Sequence, residues 1–282
     1  MRFLWIIFVA ALALVNPIAR ASLLYQISGD ELSKPSYLFG TMHVLCAEDF
    51  WLPAQLDQRF TEVDQLVMEL DLSSAEVLLQ SAKLMNNRHG PYLEAQLDSE
   101  QLLSVEHYLH KNLTMSLAQA QRINPFLLST QIMLSQLPCN TTASYEGHLV
   151  TLAMAANKPI SGLETVAFQM SLFDQIPLST QVAMIWQLIN DPVQAVAEFK
   201  TMTDFYLQQD IEQLYQFIAN DPTLGDFQPL ILDQRNQDWL TKLPAIMQQQ
   251  PAMIAVGAGH LGGEQGLVNL LRQAGYQVTP IN

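Results

Sequence analysis

Basic residues are scarce in this sequence, which has 13 Lys and Arg against 27 Asp and Glu. The formal net charge is −14, and loss of Arg2 and Arg20 with an amino-terminal leader would bring it to −16. A chain this acidic repels nucleic acid and anionic membrane surfaces, so we expect neither as a partner. The same charge also keeps ordinary proteins soluble, and it indicates no particular activity.

Long hydrophobic runs are also few, and the clearest one stands at the amino terminus. After the positively charged start Met1-Arg2, an apolar run extends from Phe3 to Val15, and Ala19-Arg20-Ala21 then has the small-x-small form of a signal-peptidase site. The run is short for a transmembrane helix, although an uncleaved anchor is the alternative. We therefore expect a signal peptide over residues 1–21 and a periplasmic or secreted protein with no stable membrane insertion.

Cysteine occurs only twice, as Cys46 and Cys139. In an exported protein two cysteines favour a disulfide, and two buried thiols are the alternative. The bridge would close a loop of about 90 residues, worth roughly 4 kcal/mol in the chain-entropy model. It would tie the region around residue 46 to the middle of the chain.

Several familiar catalytic motifs are missing. The sequence has no nucleotide-binding glycine loop, no Gly-x-Ser-x-Gly elbow and no His-Glu-x-x-His segment. His107 and His110 have a spacing that can bind metal on a helix, but their charged neighbours favour a solvated face. His148, at a predicted helix start, is also interpreted as structural. A site must therefore be sought in other parts of the chain.

Apolar strands occur near both ends of the chain, and helical periodicity fills its middle. The first two strands are predicted to form a hairpin, and the strand at 64–70 is apolar enough to be central. We expect an α/β fold in which a mixed central sheet brackets a large helical region, with residues 22–282 as a single domain. Strands are predicted at 23–28, 36–39, 64–70, 158–162, 252–256 and 276–279, and helices at 53–60, 74–86, 98–111, 125–136, 145–156, 164–173, most of 178–243, and 262–273.

Two segments share one pattern, in which an apolar strand runs into glycine and a histidine follows after two more residues. They are Gly40 to His43 and Gly257 to His260. A glycine at a strand end lets the backbone turn sharply or approach a ligand closely. The histidine then stands at the sheet edge, where α/β sites form, and imidazole is both a metal ligand and a general base. His43 and His260 are therefore candidate site residues.

Three charged residues join these candidates. Glu69 lies late in an apolar strand, where a carboxylate is costly unless it is paired or bound to metal; an exposed strand end is the alternative. Glu164 follows a predicted strand at a helix start, where it could simply be a favourable N-terminal charge. Arg235 lies on a predicted helix four residues before Trp239 and could equally be a surface residue.

These segments, in this order, resemble the TraB/GumN family, which is similar to the Tiki metalloproteases and more distantly to ChaN-like and erythromycin-esterase-like proteins. The resemblance covers essentially the whole mature chain, and the combination of motifs is specific although each is short. It is carried by Tyr37 to Val44 (YLFGTMHV), the strand of Glu69, Lys158 to Glu164 (KPISGLE), Arg235-Asn236 with Trp239, and Gly257 to Leu261 (GAGHL) followed by Gly275-Tyr276.

The resemblance implies a metal-dependent peptidase that uses two Gly-x-x-His motifs and a glutamate, with manganese or cobalt as the divalent ion. On this sequence those positions are His43, His260 and Glu69, which would be the metal ligands or, for Glu69, the base. Glu164 and Arg235 match further family positions. Arg235 could stabilise an oxyanion, and Glu164 could orient a histidine.

One segment departs from the family pattern. The family has a Gly-x-Asp turn before a helix in the middle of the chain, and this sequence has Ser144-Tyr145-Glu146 there. The acid is one carbon longer and the glycine is missing, so Glu146 is assigned no role.

Two functions compete at this point. The first is a metal-dependent hydrolase of the cell envelope, a peptidase by resemblance, with a peptide or small-molecule substrate. The second is a non-catalytic envelope protein that binds a peptide or polysaccharide fragment. A shared metal site requires the His43 and His260 side chains to lie within about 10 Å of each other. It also requires Glu69 to be buried among them. A ChaN-like haem site, the third hypothesis, would need an axial His or Tyr in an apolar pocket.

Overall fold

The structure is a computed structural model that describes residues 22–281. The predicted signal peptide, residues 1–21, lies outside the described residues. Within residues 22–281, no helix is both long enough and apolar enough to cross a bilayer.

The described chain contains eight strands and thirteen α-helices. The strands are β1 (Leu24–Ser28), β2 (Ser36–Thr41), β3 (Leu45–Cys46), β4 (Gln65–Met68), β5 (Thr142–Ala143), β6 (Ile160–Gly162), β7 (Ala252–Gly257) and β8 (Gln277–Ile281). The helices are α1 (Leu56–Glu62), α2 (Ala75–Leu84), α3 (Tyr92–Gln96), α4 (Ser99–Leu113), α5 (Leu117–Ala120), α6 (Pro125–Ser135), α7 (Tyr145–Ala155), α8 (Val166–Phe173), α9 (Leu178–Asn190), α10 (Pro192–Leu207), α11 (Ile211–Ala219), α12 (Gln234–Gln249) and α13 (Leu267–Gln273).

Six strands form one mixed sheet in the order β6-β4-β7-β2-β1-β8. Neighbouring strands from β6 to β2 run parallel, whereas β1 pairs antiparallel with both β2 and β8. The predicted hairpin of the first two strands is confirmed, and so is the interior position of β4. The fold class is therefore the predicted one, an α/β protein whose mixed sheet brackets a large helical region.

The hydrophobic core has two parts. The larger cluster packs on the sheet and includes Phe39 of β2, Ile254 of β7 and Trp239 of α12, all fully buried. The smaller cluster lies inside the helical region, where α6 packs against α9 and buries residues such as Leu128 and Ile185. Burial of apolar surface at ~25 cal/mol per Å² drives both clusters.

Several predicted element boundaries are wrong. The helix predicted to open at residue 262 begins only at Leu267, because Gly263 has φ +79°, a left-handed conformation that interrupts a right-handed helix. The helix predicted from residue 164 begins at Val166, where the Thr165 side chain accepts the N–H of Phe168 as its cap. The short elements β3, β5, α3 and α5 were not predicted.

The predicted disulfide is confirmed. Cys46 and Cys139 are bonded, with their Cα atoms 5.7 Å apart. The bond joins the end of β3 to the segment that leads into β5, and β3 and β5 pair antiparallel. This small ribbon holds the loop after β2 beside the start of α7.

Candidate functional site

The predicted site residues gather at one edge of the sheet. The parallel strands β2, β4, β6 and β7 all end there, and each is followed within three residues by a candidate side chain. Such an edge is where α/β proteins build their sites, because several strand ends converge on it. The four side chains are His43 after β2, Glu69 after β4, Glu164 after β6 and His260 after β7.

The two Gly-x-x-His turns lie side by side. In the pairing of β2 with β7, Thr41 lies opposite Gly257, so the two strands end almost level. A side chain at Gly40 would place its Cβ 3.0–3.1 Å from Leu261 and Ala258. A side chain at position 40 would therefore have to displace these neighbours, because β2 and the turn after β7 approach closely.

Glu146 holds the His43 ring. His43 Nδ1 lies 2.7 Å from Glu146 Oε1, which also accepts the Thr41 hydroxyl at 2.6 Å, while Oε2 accepts the Ser144 hydroxyl at 2.8 Å. Burial alone would raise the pKa of Glu146, but the bonds from His43, Thr41 and Ser144 lower it, so the carboxylate stays ionised. It fixes Nδ1 of His43 as a donor and leaves Nε2 without a protein partner among the described residues.

The charge state of His43 follows from these neighbours. Desolvation lowers the pKa of His43, but the hydrogen bond and charge of Glu146, aided by the Glu69 charge, outweigh it and raise the pKa to about 9. The side chain is 67% exposed, so water screens part of both effects. His43 is therefore an imidazolium at neutral pH that can give up a proton from Nε2.

Arg235, on α12, uses all of its N–H groups inside the protein. Nε and Nη2 donate to the two oxygens of Glu164 at 2.9 Å, and Nη2 also donates to Glu69. Nη1 donates to the Ile231 carbonyl and to His260 Nε2, each at 3.0 Å. A guanidinium has five N–H donors, so none remains for an oxyanion. The predicted oxyanion role of Arg235 does not fit this geometry, in which the side chain binds residues at three strand ends.

His260 is held as a neutral ring. Because Arg235 can only donate, Nε2 of His260 must be the acceptor, and Nδ1 then carries the proton and donates to Asn236 Oδ1 at 2.7 Å. Burial lowers the pKa of His260 to about 3, since desolvation and the Arg235 charge outweigh the Glu69 carboxylate. The ring also packs against Trp239 at a centroid distance of 4.4 Å.

Glu69 is largely buried, with its side chain 12% exposed, and both of its oxygens accept hydrogen bonds. Oε1 accepts the backbone N–H of Gly257 at 2.9 Å, and Oε2 accepts from Arg235 and from Gln169 Nε2, the latter at 3.2 Å. Burial alone would raise the pKa of Glu69, but the Arg235 charge and the Gly257 N–H keep it well below its usual range. Glu69 is therefore ionised at neutral pH, and its low exposure fits a built site rather than an exposed strand end.

The side chains of His43, Glu69 and His260 meet around one point. A Cβ at Gly257 would lie 3.4 Å from Glu69 Oε1, 3.6 Å from His260 Cδ2 and 3.7 Å from His43 Nε2. Atoms so close to one point are at most about 7 Å from each other, inside the limit of about 10 Å for a shared site. The two histidines thus belong to one constellation.

A cavity of about 280 Å³ opens onto this constellation. Its polar wall consists of His43, Glu69, Glu146, Ser144 and Gln169, and its apolar wall of Leu70, Leu72 and Ala255. Arg235, His260 and Glu164 stand behind this wall.

The donor atoms of the site are mostly occupied by hydrogen bonds within the protein. His43 Nε2 is free, but the lone pair of His260 Nε2 receives a hydrogen bond from Arg235, and both oxygens of Glu69 are engaged. Among residues 22–281, no three His, Cys, Asp or Glu side chains are grouped so as to hold a metal ion. The three predicted ligands therefore do not fit an ion as arranged, and metal binding by them stays a prediction.

Other residues of the site differ from the expectations or were missed. Glu164, whose side chain is 0% exposed, accepts from Arg235 and from Trp239 Nε1 and orients no histidine within the described chain. Asn236, rather than a glutamate, orients His260. Glu146, which was assigned no role, is the partner of His43, and Gln169 was not singled out. The signal that could have identified Glu146 is its position at the start of α7, where the family's Gly-x-Asp turn has its acid.

The fold and this edge define an α/β protein with a buried ionic network at the carboxyl ends of its parallel strands. The chain belongs to the TraB/PrgY/gumN family, whose model matches residues 23–280, and the resemblance seen in the sequence is thereby confirmed. It is similar to "Uncharacterized protein YbaP" of Shigella flexneri, at 24% identity over 256 residues covering 85% of this chain and 89% of the relative. The protein of the same name in Escherichia coli (strain K12) is 24% identical over 252 residues, covering 84% and 87%. No solved structure matches the chain.

Proposed function

We propose that this chain is a hydrolase of the cell envelope that cleaves a peptide, with His43 as its acid–base group. The observation that carries the proposal is the His43–Glu146 pair, 2.7 Å apart, at a cavity that Glu69 also lines. An envelope protein that only binds a fragment has no need to bury a glutamate among two histidines and an arginine. The arrangement therefore favours hydrolysis over binding.

The proposed chemistry is general acid–base catalysis. In its neutral form His43 Nε2 takes a proton from a water molecule in the cavity, and the water oxygen attacks the substrate carbonyl carbon. The resulting imidazolium then returns the proton to the leaving amine as the C–N bond breaks. Glu146 stabilises the imidazolium and keeps the ring in one tautomer. Proton transfer by a positioned histidine contributes roughly 10²–10⁴-fold in rate.

The remaining network positions this pair. Glu69 is anchored by Arg235, and Arg235 by Glu164, so the strand ends of β4 and β6 are locked to α12. Proximity effects depend on such fixed geometry, because an error of about 1 Å can cost 10²-fold in rate. We assign Arg235 and Glu164 as positioning residues.

A divalent ion, manganese or cobalt by family resemblance, remains a separate prediction. In the present arrangement Arg235 donates a hydrogen bond to the lone pair of His260 Nε2, which a metal ion would need as its ligand. A metal-dependent reaction would therefore require Arg235 to move away from His260.

The test is a digest of a peptide library by the purified protein, read by mass spectrometry. We expect defined cleavage sites with wild type, and loss of cleavage by about 10²-fold or more with His43→Ala. His89→Ala, at an exposed turn, is the matched control and should cleave like wild type. Equal cleavage by wild type and His43→Ala, or no cleavage by wild type, would sink the proposal.

The same digest tests whether cleavage requires a divalent metal ion. If a chelator abolishes cleavage and manganese or cobalt restores it, the metal prediction is confirmed. If the chelator leaves the rate unchanged, the reaction belongs to the His43–Glu146 pair alone.

A further inference from the structure

A second cavity, of about 300 Å³, lies in the helical region and shares no lining residue with the His43 cavity. It is bounded by α6, α9, α10 and the segment 221–224. At ~30 Å³ per liquid water, a space of this size equals about ten water molecules, which suits a small organic ligand.

Most of its wall is apolar. The apolar side chains that face it are half-buried rather than core residues, so each has a surface that the protein itself does not cover. They are Phe126, Met133, Met184, Leu188 and Leu224. Methionine adapts to ligands of varied shape because its side chain is flexible and polarisable.

The polar part of the wall has one sign of charge. Asp191, Glu198 and Asp221 line the cavity, and no Lys, Arg or His of the described chain does. Asp191 and Asp221 each cap backbone N–H groups through Oδ1, and Glu198 accepts the Gln194 side-chain amide through Oε1. The second oxygen of each carboxylate accepts no hydrogen bond within the described residues. Each of the three carboxylates is thus held through one oxygen, and its other oxygen remains available to a ligand.

We propose that this cavity binds an amphipathic organic cation, an ammonium group carried on a short apolar chain. The chain would fill the space between the methionines and Phe126, and the ammonium would lie among the free carboxylate oxygens. An anion of the same shape would meet three like charges, and a neutral ligand would gain no attraction from the carboxylates. Charge and shape together therefore select the cation.

The ligand test compares octylammonium, octanoate and octanol by titration calorimetry on the purified protein. The three probes share one chain and differ only in the head group. We expect octylammonium to bind about tenfold more tightly than either of the others, which is ~1.4 kcal/mol. Equal binding of octanoate would overturn the proposal, and so would equal binding of spermidine, which lacks an apolar tail.

Two pairs of variants locate the site. Ala195→Phe fills the cavity from α10, whereas Ala197→Phe places the same side chain on the exposed face of that helix. We expect the first to abolish octylammonium binding and the second to leave it unchanged, with melting curves showing that both fold. Glu198→Gln should weaken octylammonium several-fold and leave octanol unchanged, while Asp57→Asn, on the exposed face of α1, changes neither. Binding that survives Ala195→Phe would contradict the assignment.

Discussion

Arg235 connects the residues of the site without lining its cavity. Its side chain is 10% exposed and donates to Glu69, Glu164, His260 and a backbone carbonyl. Arginine fits this position because its planar fork binds a carboxylate through two parallel hydrogen bonds, which lysine cannot do.

Removal of this guanidinium is predicted to destabilise the protein strongly. Arg235→Met leaves the carboxylates of Glu69 and Glu164 buried without a counter-ion, and such a loss costs about 3–5 kcal/mol. The measurement is the free energy of unfolding in urea. Lys200→Met, which breaks the exposed pair with Asp204, is the control and should cost no more than about 0.5 kcal/mol. Similar values for the two variants would show that Arg235 is not a clamp.

The neutral state of His260 gives the protein a pH dependence. Its folded pKa of about 3 lies below the ordinary 6.5, so the unfolded chain binds a proton that the folded protein refuses. This contribution to stability is fully present above pH 6.5 and decreases as pH falls from there toward 3.

The free energy of unfolding, measured at a series of pH values, would reveal this contribution. Between about pH 6 and 5, the wild type should lose up to ~1.4 kcal/mol per pH unit more than His260→Gln, which cannot be protonated. His89→Gln, at an exposed turn, should follow the wild type. Parallel curves for wild type and His260→Gln would mean that His260 is already charged in the folded protein.

At the scale of single residues, the sequence identified the candidates more readily than their partners. His43, Glu69 and His260 stood out because glycine turns and an acid in an apolar strand are local patterns. The His43–Glu146 contact joins residues 103 positions apart, and no local pattern predicts it. The clamp role of Arg235 also needs three strand ends in space before it can be recognised.

The β3–β5 ribbon is the element that brings Glu146 to His43. Thr142 and Ala143 pair with Cys46 and Leu45, and α7 begins two residues later. The disulfide between residues 46 and 139 fastens this ribbon. An element of two residues per strand has little stability of its own, so it depends on the cross-link.

Loss of the disulfide is therefore predicted to affect both stability and the site. A loop of this length corresponds to about 4–5 kcal/mol in the chain-entropy model. The double variant Cys46→Ala/Cys139→Ala should have a free energy of unfolding in urea that is lower by that amount. Under the proposed function its rate of peptide cleavage should also fall, because Glu146 is no longer fixed. Addition of a reductant should reproduce the stability loss in the wild type and change nothing in the double variant. An unchanged urea midpoint would contradict the ribbon's dependence on the bond.

Elements with strong local signals were predicted more accurately than those without. β7 is an unbroken apolar run, and α6 begins with Pro125 after an Asn124 cap, so both have clear boundaries. The start of α13 was placed too early because glycines and turns after β7 resemble a helix opening. β3 and β5 are too short for any periodic pattern.

At the scale of the whole molecule, the parallel strands β6, β4, β7 and β2 bring distant segments of the chain together at one site. The α/β class followed from strands at both ends of the chain. The strand order did not, because β7, far along the sequence, is inserted between β4 and β2. That insertion sets the two Gly-x-x-His turns side by side, and it depends on tertiary packing that no single segment encodes.

The most direct test of the hydrolase proposal is the pH dependence of kcat/KM for a cleaved peptide, measured for wild type and Glu146→Gln. In the wild type the rate should rise with pH through an apparent pKa near 9, since neutral His43 is the base. Glu146→Gln removes the charge that raises this pKa. The rise of kcat/KM in this variant should therefore occur at lower pH, and its maximal rate should fall. Glu94→Gln, exposed on α3, should behave like wild type. The same pH dependence of kcat/KM in wild type and Glu146→Gln, or no cleavage at any pH, would contradict the proposal.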